Sequence, residues 1–425
     1  MEKLLLKKAA LQSVSLMLMV MMISYMVNHY EKITLAASDI DNLDKSAEQV
    51  TPSLNPQDSM DEENLTSNEK FLFTTPATNA LELKSRISAE LLLKLGEDFI
   101  AIEKPEGKEL SLKLTDIYIK KSIELKITGM ETKDFTSSRI YRVRGNDFFS
   151  NEPKYTELTT QEMDEESGVI KEVITKDYGK DPSHAITINF NEEEADLFSA
   201  LILLEMDTVY GYEIYEDKNY YYIGLKIPSQ VYDKIIVIDP GHGGKDAGAL
   251  SKDEIYYEKN INLEISKELK KLLDQENIKV YYTRTEDSTV FLRPRVSLAN
   301  AVDCDYFISI HCNANDVTSP NGTEILYYDK TVKGVNTKEL ATIFSEELAK
   351  SIRLESRGLV KKNPEDIFIM DQSEVPTILI EVGYLTNYND MNYLSNDKSW
   401  KEVAQGIYNS IMKAYEILPV SKEMR

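Results

Sequence analysis

The chain has 425 residues, too many for one ordinary domain; at roughly 100–200 residues per domain it points to two or three. It carries 49 Lys and Arg against 72 Asp and Glu, a formal charge of −23, the wrong sign for a protein that grips nucleic acid by neutralising phosphates. Two cysteines, Cys304 and Cys312, exclude a disulfide scaffold and a thiolate zinc finger, so any metal site must draw on Asp, Glu and the four histidines.

In chain order, residues 1–8 form a short basic stub with Lys3, Lys7 and Lys8. Residues 9–27 follow without a charge, and at ~1.5 Å per residue such a helix crosses a hydrocarbon core of ~30 Å. The segment reads as a signal anchor in the cytoplasmic membrane. The alternative is a cleaved signal, although Leu35-Ala36-Ala37-Ser38 lies well past the apolar run and makes a poor cutting site. The positive stub stays inside, so the expectation is a single-pass protein of the cell membrane with its bulk outside the cytoplasm, or a secreted one if the segment is cut. Residues 28–70 read as a disordered acidic tether: from Ser38 to Lys70 there is no aromatic residue, and Pro52 and Pro56 interrupt it.

Residues 71–232 alternate apolar and polar positions, as in Ile123-Glu124-Leu125-Lys126-Ile127, and predict a β-rich accessory domain. A hairpin is expected from Val209–Tyr215 to Tyr220–Ile227, and an acidic loop over Gln161–Gly168. One helix is expected here, capped by Asn191 and carrying Leu197, Leu201 and Leu204 on a face. His184 stands alone and reads as a surface or capping residue. The role of this region is open between wall binding, docking of protein regulators and spacing.

Residues 233–417 hold the chemistry, and 418–425 form a tail. Ile235-Ile236-Val237-Ile238 is an unbroken β-branched run, the mark of a strand buried on both faces, and it ends in Asp239-Pro240-Gly241-His242-Gly243-Gly244. Further buried strands are expected at Val280–Thr283, Tyr306–Ile310 and Thr377–Ile380, with helical spacing at Ile261–Leu272, Leu340–Leu348 and Val403–Tyr415. Alternating strands and helices predict an α/β domain whose mainly parallel sheet is flanked by helices. In such a sheet, polar residues just past the strand ends converge on one edge. His242, His311 and Glu381 hold that position, and Glu258 follows the first loop, just before the first turn of the helix. Two imidazoles and a carboxylate suit zinc with one open coordination position, and a further carboxylate suits a general base.

At these residues the sequence resembles the zinc-dependent N-acetylmuramoyl-L-alanine amidases, bacterial cell-wall hydrolases with a type-3 catalytic domain. The matching blocks are Ile238 to Gly244, Asp246 to Ala249, Glu258-Lys259, Thr283-Arg284 with Asp287, Leu292, Arg295, and Ala299-Asn300. They continue through Ser309 to Ala314, Gly322-Thr323-Glu324 and Glu381 to Asn387, and cover about 234–416. The resemblance implies Zn2+ held by His242, Glu258 and His311, Glu381 as the catalytic acid/base, and peptidoglycan as substrate. The bond cut would be the amide between N-acetylmuramic acid and L-alanine. Asp239, Arg295 and Asn313 are candidates for holding substrate or orienting ligands. Cys312 stands where the family commonly has Ala, and Tyr384 where it often has Phe. Two other readings remain: a retired amidase domain that recruits partners, and another exported zinc peptidase acting on stem peptides.

Overall fold

The computed structural model describes residues 76–163, 170–194 and 196–418. The stub 1–8, the expected anchor 9–27, the tether 28–70 and residues 419–425 of the tail lie outside them. The expected single-pass membrane placement does not stand: among the described residues no helix is long and apolar enough to cross a membrane. The longest described helix, Asp397–Ile417, would reach roughly 30 Å. However, it carries Asp397, Lys398, Lys401, Glu402, Lys413 and Glu416, so its polar side belongs in water.

In the first part of the chain, strands 211–216, 220–226, 98–103, 140–144 and 147–149 form one five-stranded sheet in that order. Strands 107–117, 122–130, 197–206 and 183–194 form a four-stranded one. The period-two pattern explains the layering. Ile100 and Ile102 face the other sheet, packing with Ile123, Leu125, Ile202 and Leu204. Their neighbours Phe99 and Ala101 face two short helices, Ala80–Ser85 and Ala89–Leu95, through Leu83 and Leu95. The expected hairpin is present as Gly211–Glu216 against Tyr220–Lys226. The acidic segment from Gln161 begins in strand: Thr156–Met163 pairs with Ile170–Asp177, and the residues between them lie outside those described.

The helix expected after Asn191 is instead two paired strands, Ser183–Glu194 and Leu197–Met206, with Asp196 at φ 68° before the second. Ala200, Ile202, Leu204 and Met206 are buried, so the apolar spacing is a period of two reading on past the leucines. Tertiary pairing with Ser122–Met130 overrides the acidic cap-like run.

The second part is built on a six-stranded sheet: β1 (Ile235–Pro240), β2 (Lys279–Tyr282), β3 (Tyr306–Asn313), β4 (Thr323–Tyr327), β5 (Ser356–Lys361) and β6 (Thr377–Tyr384). The order is β2-β1-β3-β6-β4-β5. β2, β1, β3 and β6 run parallel, and β5 runs parallel to β4, but β4 is antiparallel to β6. The sheet is therefore mixed rather than mainly parallel throughout. Helix Asp397–Ile417 packs against helices Glu258–Leu273 and Thr337–Ser351, and their apolar faces join the β-branched strands in one core. Cys304 and Cys312 are free and buried. Tyr118 of the first part packs edge-on against Tyr281 of the edge strand β2, ring centroids 5.0 Å apart, and its hydroxyl accepts the Tyr282 N–H.

Because β4 is reversed, the edge where β1, β2, β3 and β6 end is also where β4 and β5 begin. That edge carries the site.

Candidate active site

β1 delivers the first histidine through a turn that the sequence makes tight. His242 has φ 60°, a left-handed conformation that costs a residue with a Cβ and persists only where surroundings enforce it. Two buried arginines do so. Arg295 Nη1 donates to Asp239 Oδ1 at 2.6 Å and to the Pro240 carbonyl at 2.9 Å, and its Nη2 donates to the His242 carbonyl at 2.7 Å. Arg284 donates to the Pro240 and Gly241 carbonyls at 2.9 and 2.8 Å. The carbonyls of Pro240, Gly241 and His242 thus all accept from guanidinium groups, which fixes the backbone that carries the imidazole.

Glu258 begins its helix and is buried between the two histidines. Its Oε2 lies 3.1 Å from His242 Nε2, and its Oε1 lies 2.9 Å from His311 Nδ1. Donors around it favour the ionised form: the Ala249 N–H at 2.8 Å, the Cys312 N–H at 3.0 Å and Asn262 Nδ2 at 3.2 Å. Burial pushes the carboxyl up, but the imidazoles outweigh it and hold Glu258 well below the usual carboxylate range. Burial likewise pushes the His242 imidazolium down, yet the Glu258 and Asp246 carboxylates raise it to about 9. Asp246 Oδ2 meets His242 Nδ1 at 2.8 Å, which orients the ring.

His311 and Glu381 are register partners on β3 and β6, and Glu381 faces Glu324 across the antiparallel pair. Glu381 Oε2 is buried and has no hydrogen-bond partner among the described residues. Burial pushes this carboxyl up; His311 opposes that, Glu258 and Glu324 add to it, and the result is about 7. One atom each from His242, Glu258 and His311 lies within 4.8 Å of the others, close enough to share one cation.

Two glycines make room for this cluster. A Cβ on Gly241 would stand 2.2 Å from the His311 ring, and one on Gly248, at φ 65°, would stand 2.5 Å from Glu258 Oε2. We expect Gly241→Ala to displace His311 and to lower metal affinity at least tenfold, with about 1–3 kcal/mol lost from overpacking. Metal titration followed by calorimetry and thermal unfolding would check this; unchanged affinity would refute the tight fit.

The structure brings together His242, Glu258, His311 and Glu381, the four residues singled out from strand ends. The three remaining candidates sit elsewhere in the design. Asp239 bonds to Thr283, Ser309 and Arg295, not to an imidazole. Arg295 is spent on the turn. Asn313 Nδ2 reaches Glu324 at 3.4 Å, and its Oδ1 accepts the Ala314 N–H. The sequence reading missed Asp246 and Asn262 as partners, although each lies four residues after the residue it supports. It also missed Arg284 as a clasp, because only the fold brings β2 beside the turn.

Residues 236–413 match the family model described as N-acetylmuramoyl-L-alanine amidase. The uncharacterized protein YqiI of Bacillus subtilis (strain 168) is 34% identical over 183 residues, covering 43% of this chain and 85% of that protein. The N-acetylmuramoyl-L-alanine amidase CwlM of Bacillus licheniformis is 32% identical over 184 residues, 43% of this chain and 69% of CwlM. This chain belongs to the N-acetylmuramoyl-L-alanine amidase family. The N-acetylmuramoyl-L-alanine amidase LytC of Bacillus subtilis (strain 168) is 33% identical over 193 residues, which are 45% of this chain and only 38% of LytC. The family resemblance read from the sequence is borne out. The amidase match begins at residue 236, after the five-stranded and four-stranded sheets and the strand pair Thr156–Met163/Ile170–Asp177.

Proposed function

We propose that this amidase hydrolyses the bond between the lactyl group of N-acetylmuramic acid and the L-alanine of peptidoglycan. In this reading His242, Glu258 and His311 hold Zn2+, and Glu381 moves the protons. One observation carries the reading: a two-imidazole, one-carboxylate donor set stands next to Glu381, the register partner of His311, whose buried Oε2 has no hydrogen-bond partner among the described residues. Those donors suit zinc with three protein ligands and an open position. Zinc bound there would polarise the scissile carbonyl and bring the pKa of a bound water toward ~7.

The chain's own groups do the rest. The N–H groups of Ala249 and Cys312 and the Asn262 amide keep Glu258 ionised as a ligand. Asp246 at Nδ1 leaves His242 Nε2 as the nitrogen that faces the site. Glu381 Oε2 takes the proton of the attacking water and returns it to the leaving amine of L-alanine. Burial holds that carboxyl above its ordinary value before any cation is bound, which favours a group that takes a proton and gives it back. Residues 71–232 act as an accessory region; among the described residues they hold no second group of metal-ligating side chains.

Digestion of purified peptidoglycan by the full chain with zinc tests the reading. Mass spectrometry is expected to show released stem peptides with L-alanine at a free amino end and intact glycan strands. Peptides cut internally would point to a peptidase instead, and no release would overturn the proposal.

A further inference from the structure

The site has a cation on its far side that the hydrolysis step does not use. Arg357 lies at the start of β5, on the same sheet edge as Glu381. Between β4 and β5 the register slips: Thr323 pairs with Ser356, but Glu324 pairs with Gly358, so Arg357 is the extra residue of a bulge. Bulges next to active sites re-aim side chains, and this one is held open by glycines. Gly358 has φ 79°, and a Cβ on Gly322 would stand 2.4 Å from the Glu355 carbonyl and 3.1 Å from Arg357 Cγ.

The guanidinium is positioned from two sides. Its Nε donates to Glu324 Oε1, an oxygen that also accepts the Tyr384 hydroxyl at 3.1 Å. Its carbon lies 5.7 Å from the centre of the Tyr384 ring. Nη1 makes one long contact, 3.4 Å to the Asn321 carbonyl, and Nη2 has no partner among the described residues. The Arg357 side chain is 41% exposed while Glu324 is 12%. The charge is therefore anchored at its inner edge and open at its outer edge. A guanidinium with its fork left free suits a planar anion, above all a carboxylate.

Spacing selects which anion. Register runs from Glu381 on β6 to Glu324 on β4 to Gly358 on β5, and neighbouring strands are ~4.8 Å apart, so the backbone beside Arg357 stands about 10 Å from that of Glu381, with the guanidinium reaching back as far as Glu324. An extended peptide covers ~3.3–3.6 Å per residue. We propose that Arg357 determines specificity by binding a free carboxylate carried by the leaving peptide within about three residues of the scissile amide. Glu324, Tyr384 and the bulge position it. The inference rests on the amide-hydrolase reading and adds the chemical feature of the substrate that the enzyme reads.

The test uses pairs of muramyl peptides that differ only in having a side or terminal carboxylate, at the first, second or third residue, free or amidated. The full chain with zinc is compared with Arg357→Met and Arg357→Lys. For one such pair Arg357→Met is expected to raise KM at least tenfold on the carboxylate form, to leave kcat within about twofold, and to leave the amidated form unchanged. Arg357→Lys should recover part of the loss. Calorimetric binding of the same pairs to the Glu381→Gln protein, with and without Arg357→Met, gives the comparison independently of turnover. Discrimination in binding with no hydrolysis by the unaltered protein would keep Arg357 and sink the amidase reading. If Arg357→Met affects both forms of every pair equally, or neither, the proposal is overturned.

Discussion

Glu381→Gln is expected to keep its zinc and lose about 10^3-fold in peptide release, within the range that a positioned acid/base contributes. The substitution preserves shape on a strand whose neighbours Ile380 and Val382 are fully buried, so the fold should tolerate it. It removes the one property the proposed mechanism needs, a carboxyl that can take a proton and give it back. Glutamine also adds a donor beside His311, so metal content has to be measured with activity. Metal analysis together with timed peptidoglycan digestion decides the matter. Full turnover in the variant would remove Glu381 from the mechanism, and lost metal would reassign it to holding the site together.

Asp239→Asn is expected to cost about 3–5 kcal/mol of stability near neutral pH, because it strands the charge of Arg295 in the interior. Both side chains are almost wholly buried, at 3% exposure for Arg295 and 1% for Asp239. Burial alone would push the Asp239 carboxyl up; the Arg295 charge and the hydrogen bonds from Thr283 and Ser309 outweigh it and hold it below its ordinary value. A folded-state value below the unfolded ~3.9 means that the ionised carboxylate stabilises fully at higher pH. That contribution drains away as pH falls below about 4. Urea unfolding across pH should show the unaltered protein losing stability steeply in acid and the variant losing less. Equal slopes would show that Asp239 is not the linked group. The variant should also weaken metal binding, since Arg295 holds the His242 carbonyl that keeps the turn left-handed.

Much of the site was legible because its residues sit where local pattern and chemistry coincide. A β-branched run followed by Pro and glycines marks the end of β1, and the same logic finds His311 near the end of β3 and Glu381 near the end of β6. Buried parallel strands write themselves as apolar runs, and the helix from Glu258 shows its 3.6-residue period. What failed has an equally local cause. Asn191-Glu192-Glu193-Glu194 before three leucines satisfies the rules for a helix start, yet the segment is two strands paired with each other, and the second is held in the sheet by Ser122–Met130, far away in sequence. β4 and β5 are short, five and six residues, with only three and two aliphatic or aromatic positions, and nothing in so short a segment states which way it will point.

By itself the sequence determined the four converging side chains and the family, because these depend on residue types at strand ends. It determined the alternation behind both cores for the same reason. Only the tertiary structure decided that Arg295 and Arg284 clasp a turn, that Asp239 serves an arginine, and that reversing β4 brings Arg357 to the reacting edge. These depend on contacts between segments tens of residues apart, and long-range pairing leaves no trace in the local order of the chain.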